Sequence, residues 1–96
     1  MIRHIVPFRL KHAEGSTEEQ AFLVALRQLK TIPGIEHFDV QKEVSAKNDF
    51  TFAAYMAFAD QAAYSAYNDH PLHVDFVQNR WIPEVADFIE IDLTAL

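Results

Sequence analysis

Apolar and polar residues alternate from the second position onward. Ile2, His4, Val6, Phe8 and Leu10 share one parity, while Arg3, Ile5, Pro7, Arg9 and Lys11 share the other. A period of two predicts a strand with one well-buried face, and it places His4 on that face. Pro7 has no N–H to give to a ladder, so that side of the strand is expected to meet an edge, a bulge or solvent.

After a polar loop from Lys11 to Gly15 the period changes. Ser16-Thr17-Glu18-Glu19 has the form of a capping box, with Ser16 as N-cap and Glu19 reaching back. Phe22, Leu26 and Leu29 follow at helical spacing, supported by Leu23 and Ala25, and Lys30 stands in the last turn. Ile32-Pro33-Gly34-Ile35 ends this helix.

From Ile35 to Val44, Phe38, Val40 and Val44 alternate with His37, Asp39, Gln41 and Glu43, which predicts a half-exposed strand. Phe50 to Ala59 reads as a strand that is apolar on both faces. Phe50, Phe52, Ala54, Met56 and Phe58 stand on one side, and Thr51, Ala53, Tyr55 and Ala57 on the other. An antiparallel sheet covered by helices on one side has a polar second face, so something must cover this one.

Asp60 is placed to cap a short helix running through Tyr64 and Tyr67. That helix breaks in the stretch Tyr67-Asn68-Asp69-His70-Pro71-Leu72-His73-Val74. Pro suits the first position of a helix and pushes the residue before it out of the α region, so His70 is expected to be a joint between two helices. Beyond it Leu72, Phe76, Val77 and Trp81 suggest a second amphipathic segment, closed by Pro83. Val85, Ile89, Ile91 and Leu93, with Asp87, Glu90 and Asp92 between and beside them, suggest a final strand. The order is strand, helix, strand, strand, broken helix, strand. It predicts an α+β fold of ferredoxin-like βαββαβ plan, a four-stranded antiparallel sheet with helices on one face. Two copies pairing sheet on sheet would cover the other face, so a homodimer is expected.

Composition narrows the function. A chain of 96 residues suits one domain over positions 1–96, and half of it is hydrophobic. A net charge of −6 argues against a nucleic-acid partner, which calls for clustered Lys and Arg. The aromatic residues of the Phe50–Ala59 strand lack the basic neighbours of an RNA-recognition sheet. The absence of cysteine excludes disulfides and thiolate nucleophiles. The longest run without a polar residue, Phe52 to Ala59, is far short of a membrane span, and Arg3 and His4 interrupt any signal-peptide core. A soluble cytoplasmic protein with no membrane partner is the expectation. With only two glycines there is no phosphate-binding loop, so no cofactor is expected. His70 and His73 have the spacing of a metal pair, but the break falls between them and no carboxylate stands at obvious ligand spacing. No metal site is expected.

The candidate chemistry lies at the joint. A neutral imidazole, with a reference pKa of about 6.5, takes a proton from a carbon acid near neutrality. A phenol hydrogen-bonds the enolate or alkoxide that results. Tyr67 and His73 supply both groups, while a purely structural reading has His73 buttressing the joint and Tyr67 packing in the core. His4, on the buried face of the first strand, is either a core histidine with one hydrogen bond or part of the same site.

Three motifs carry a family resemblance: His4-x-Val6-x-Phe8-x-Leu10, Ile32-Pro33-Gly34-Ile35, and Tyr67-x-x-His70-Pro71-x-His73. Together they resemble the stress-responsive α/β-barrel domain family of dimeric α+β barrel proteins, over essentially the whole chain. Pro7 stands where a bulky aliphatic residue is expected in that family. The resemblance implies a ferredoxin-like subunit and a homodimer. It also implies, by analogy with a plant polyketide cyclase branch, an acid/base pair of Tyr67 and His73 with His4 nearby. Two functions remain open. One is a cofactor-independent enzyme of cyclase or lyase type acting on a hydrophobic, phenolic or polyketide-like carbonyl compound. The other is a non-catalytic stress-response dimer or ligand-binding module.

Overall fold

The alternation of the first strand is realised without interruption. In the computed structural model, which describes residues 1–96, β1 spans Ile2–Leu10 and buries His4, Val6, Phe8 and Leu10. Helix α1 (Thr17–Arg27) starts where the capping pattern places it: the Ser16 hydroxyl accepts the Glu19 N–H at 3.2 Å. The Glu19 carboxylate reaches back one residue further than expected and accepts the Gly15 N–H at 3.0 Å. A 3₁₀ turn (Gln28–Thr31) closes the helix, and the chain reverses at Gly34, whose φ of 92° suits glycine.

Strands β2 (Glu36–Lys42) and β3 (Phe52–Phe58) are both shorter than their apolar alternation suggested. Positive φ at His37 accompanies a register shift in β2 between Glu36 and Asp39. Helix α2 (Gln61–Asp69) is capped by Asp60, which accepts the Ala63 N–H at 2.9 Å. His70 is extended (φ −65°, ψ 135°), as a residue before proline should be, and its ring Nδ1 accepts the Leu72 N–H at 3.1 Å. Helix α3 (Pro71–Phe76) then runs on through a π-helical turn (Val77–Trp81) and a final turn (Ile82–Glu84).

The last strand comes in two pieces, β4 (Val85–Phe88) and β5 (Ile91–Leu93), both antiparallel to β1. The sheet therefore has five strands in four positions, β2-β3-β1 and then β4 with β5. Pro7 lies in a central strand. Its carbonyl accepts the Ile89 N–H at 3.1 Å, so its missing N–H faces the same neighbour, where β4 has ended and β5 not begun.

The single parity expected for Val85, Ile89, Ile91 and Leu93 does not hold. A register shift opposite Arg9 and Leu10 inserts one residue, and a one-residue slip exchanges the two faces of a strand. Val85 pairs with Leu10 and Phe88 with Phe8 on the helix-covered face. Ile91 pairs with Ile5 on the opposite face, and Asp92 pairs with inward-facing His4.

The core lies between the inner sheet face and the helices. Phe8, Phe22, Phe58, Leu26 and Met56 are its largest fully buried side chains. Phe22 of α1 packs on Phe8 of β1 at 5.7 Å between ring centres, and on Phe76 of α3 at 5.5 Å. Each buried ring contributes roughly 1.5–3 kcal/mol. No helix is long and apolar enough to cross a membrane.

Candidate functional site

Between the inner sheet face and the helices lies a cavity of about 520 Å³, lined by 15 residues of which 12 are hydrophobic. Val6, Ala54 and Met56 form its floor on the sheet, and Leu26 and Leu29 close one side. The π-helical turn and the segment after it supply Val77, Trp81 and Ile82. Tyr67, His73, His4 and Glu90 are the residues with titrating side chains that line it.

Tyr67 and His73 meet. Their ring centres are 4.3 Å apart at an interplanar angle of 46°. The joint makes this contact possible, because the turn at His70 folds the start of α3 back over the end of α2. The His73 Nδ1 lies 3.0 Å from the Asn68 carbonyl, one of the carbonyls that a helix end leaves without an intrahelical partner. A carbonyl only accepts, so Nδ1 carries the proton and the neutral ring keeps its lone pair on Nε2. Burial lowers the His73 pKa, against the opposing pull of the Asn68 hydrogen bond, and so favours the neutral imidazole.

Tyr67 is only 3 % exposed, yet its hydroxyl has no hydrogen-bond partner in the chain. Burial, followed by the Glu90 carboxylate, pushes its pKa up and keeps the phenol protonated. The hydroxyl is not sealed off: it opens into the cavity, where a water or a ligand group can take its hydrogen bond.

His4 of β1 lines the same cavity, its ring 6.3 Å from that of Tyr67. Its Nδ1 is 2.6 Å from Asp92 Oδ1 and 2.8 Å from the Tyr64 hydroxyl. That hydroxyl is also 3.0 Å from each carboxylate oxygen of Asp92. Burial, then the bond to Asp92, pushes the Tyr64 pKa up, so this phenol also stays protonated. The three sequence candidates thus line one cavity.

Sequence reasoning left out Tyr64, Asp92 and Glu90. Tyr64 carried a signal, since it stands three residues before Tyr67 on one helix face. Asp92 and Glu90 carried none, because the slip in the last strand hides the face they occupy. The other three histidines lie outside the cavity lining: His12 bonds Glu84 at 2.8 Å, His37 is exposed in β2, and His70 caps α3. No group of three or more acidic or imidazole side chains is arranged to hold a metal ion.

Comparison with known proteins places the chain. No curated protein matches it by sequence. It is similar to a Dabb family protein with a ferredoxin-like fold from Mesorhizobium loti MAFF303099. The two are 53% identical with a TM-score of 0.98, over 99% of this chain and 96% of that one. It shares its fold with a dimeric ferredoxin-like protein of unknown function from Thermobifida fusca YX, at 24% identity and a TM-score of 0.81, over 98% of this chain and 90% of that one. It also shares its fold with the hydroxynitrile lyase of Passiflora edulis, at 16% identity and a TM-score of 0.86, over 99% of this chain and 93% of that one. The family model of the stress responsive A/B barrel domain matches residues 2–95, and the chain belongs to that family.

Proposed function

We propose that the cavity binds a hydrophobic small molecule and that Tyr67 and His73 act on it as an acid/base pair without a cofactor. Tyr67 carries this reading: its hydroxyl is protonated, opens into the cavity without a partner in the chain, and its ring lies against a neutral imidazole. His73 Nε2 takes a proton from carbon or oxygen, and the phenol stabilises the oxyanion that forms. Each contribution is typically worth roughly 10²-fold or more in rate. His4 is the third polar group of the site. Enolisation, aldol-type ring closure and lyase chemistry all use this set. The substrate is a phenolic or polyketide-like carbonyl compound, whose apolar body fits the Leu, Met and Trp walls.

The working unit in this proposal is a homodimer formed through the outer sheet faces. Ile5, Tyr55 and Ile91 stand side by side on that face, and Leu93 beside them is 49% exposed. Structures that share the fold are described as dimeric.

A thermal-shift screen of aromatic polyketides, quinones and β-keto thioesters, on wild type and His73→Ala, tests the reading. A ligand at about 100 times its Kd adds roughly 2.7 kcal/mol, a rise of several degrees for a domain of this size. A shift that depends on His73 supports the site and leads to turnover assays on that scaffold. No shift across the set would favour the alternative, a non-catalytic stress-response dimer.

A further inference from the structure

We propose that Asp92 is a positioning residue for His4. Together with Tyr64 it locks the imidazole as the Nδ1–H tautomer and leaves Nε2 bare toward the cavity. A ligand bound there meets a proton acceptor at His4 and so brings a proton donor, a hydroxyl or an acidic C–H. This rests on the cavity being the binding site.

Three elements build the arrangement. Pairing of β5 with β1 sets Asp92 directly opposite His4, within the reach of cross-strand side chains. Helix α2 brings Tyr64, which stacks on Phe58 at 4.9 Å between ring centres with planes 1° apart, so its hydroxyl has little freedom to wander. That hydroxyl is protonated and donates to the carboxylate. A carboxylate accepts only. A bare ring nitrogen 2.6 Å from Asp92 Oδ1 would set lone pair against lone pair, so His4 Nδ1 carries the hydrogen. His4 is 4% exposed and lines the cavity, and with Nδ1 taken, Nε2 is the nitrogen left for a ligand. The Asn68 carbonyl fixes His73 in the same tautomer. Nε2 of each histidine thus offers an acceptor to the cavity, with the Tyr67 hydroxyl as the donor.

The tautomer is read directly by NMR of protein labelled with ¹⁵N at the histidine rings, at a pH where the rings are neutral. In wild type, His4 should show a protonated Nδ1, a bare Nε2 and a ring N–H proton far downfield of the amides. Asp92→Asn should lose the downfield proton and populate the Nε2–H form, because an amide donates as well as accepts. Asp92→Glu should restore part of the wild-type signal, and His73 should not change. Tyr64→Phe should keep the Nδ1–H form, since the carboxylate remains. Wild-type His4 protonated on Nε2, or an unchanged tautomer in a folded Asp92→Asn, would overturn the proposal. If Asp92→Asn does not fold, the wild-type and Tyr64→Phe spectra decide it. The spectra need no ligand, and 2-naphthol serves as a separate probe of the cavity. Failure of wild type to bind 2-naphthol would sink the cavity as a site for such molecules while the tautomer result stood. Binding with His4 in the Nε2–H form would sink this inference alone.

Discussion

Tyr67 and His73 sit on different helices, six residues apart, with their rings 4.3 Å apart across a proline-induced joint. The joint is what lets a tyrosine at the end of one helix face a histidine in the first turn of the next. The contact therefore depends on the geometry at His70 and Pro71 as much as on the two side chains.

Tyr67→Phe should leave the fold intact and weaken the ligand response. Its hydroxyl has no partner to lose, so stability should stay within about 1 kcal/mol of wild type in urea titrations. Affinity for a ligand found in the thermal-shift screen should fall about tenfold by calorimetry. An unchanged affinity would leave Tyr67 a packing residue.

His73 should make stability depend on pH. Its pKa is lowered in the folded state, so below about 6.5 the unfolded chain binds a proton that the native ring resists. Wild type should lose stability as pH falls from about 6.5 toward the folded-state value, and the loss should level off below it. His73→Gln should remove that part of the slope, read as the difference between the two melting curves across pH 7.5 to 4.5.

His70 is predicted to be a cap and not a ligand group. Its Nδ1 accepts the Leu72 N–H, so His70→Ala should cost about 1 kcal/mol, and His70→Asn should recover most of it. Ligand shifts measured relative to each variant's own melting point should match wild type.

Phe22 ties α1 to β1 and α3 at once, through Phe8, Phe76 and Trp81. Phe22→Ala should cost about 3–5 kcal/mol in denaturant unfolding, near the whole stability of a domain this small.

The outer sheet face should respond to charge. Ile5→Asp sets a carboxylate between Tyr55 and Ile91, and sedimentation should find wild type dimeric and the variant monomeric. Persistent dimers would place the contact elsewhere.

Much of the fold was legible because its cues are local. The parity of Ile2 to Leu10, the Ser16 cap and the Asp60 cap each act within a few residues, and each element formed where its cue stands. The site was legible only in part. His73 and Tyr67 stood out as residue types, but their contact crosses Pro71, where helical spacing no longer predicts neighbours. Asp92 was hidden by one extra residue. The slip opposite Arg9 and Leu10 reverses the faces of the last strand, and nothing in its alternation of Ile and acidic residues announces it. Pro7 was read as facing an edge, a bulge or solvent, and its N–H side faces the gap between β4 and β5.

The π-helical turn from Val77 to Trp81 has an evolutionary consequence. Such a turn holds one residue more than the α-helical turn it replaces, and it commonly marks a single inserted position. Deleting that residue would restore ordinary winding and leave the segments on either side in register. Rewinding all five residues as ordinary helix would instead rotate what lies before them by about 100° relative to what lies after. Trp81, which now packs against Phe8, Phe22 and Phe88, would no longer share a wall with Phe76 and Val77. In this chain the length of one turn, and not only its composition, sets the shape of the chamber. Sequence drift that let the same five residues wind as ordinary helix would leave Tyr67 against His73 behind a differently shaped door.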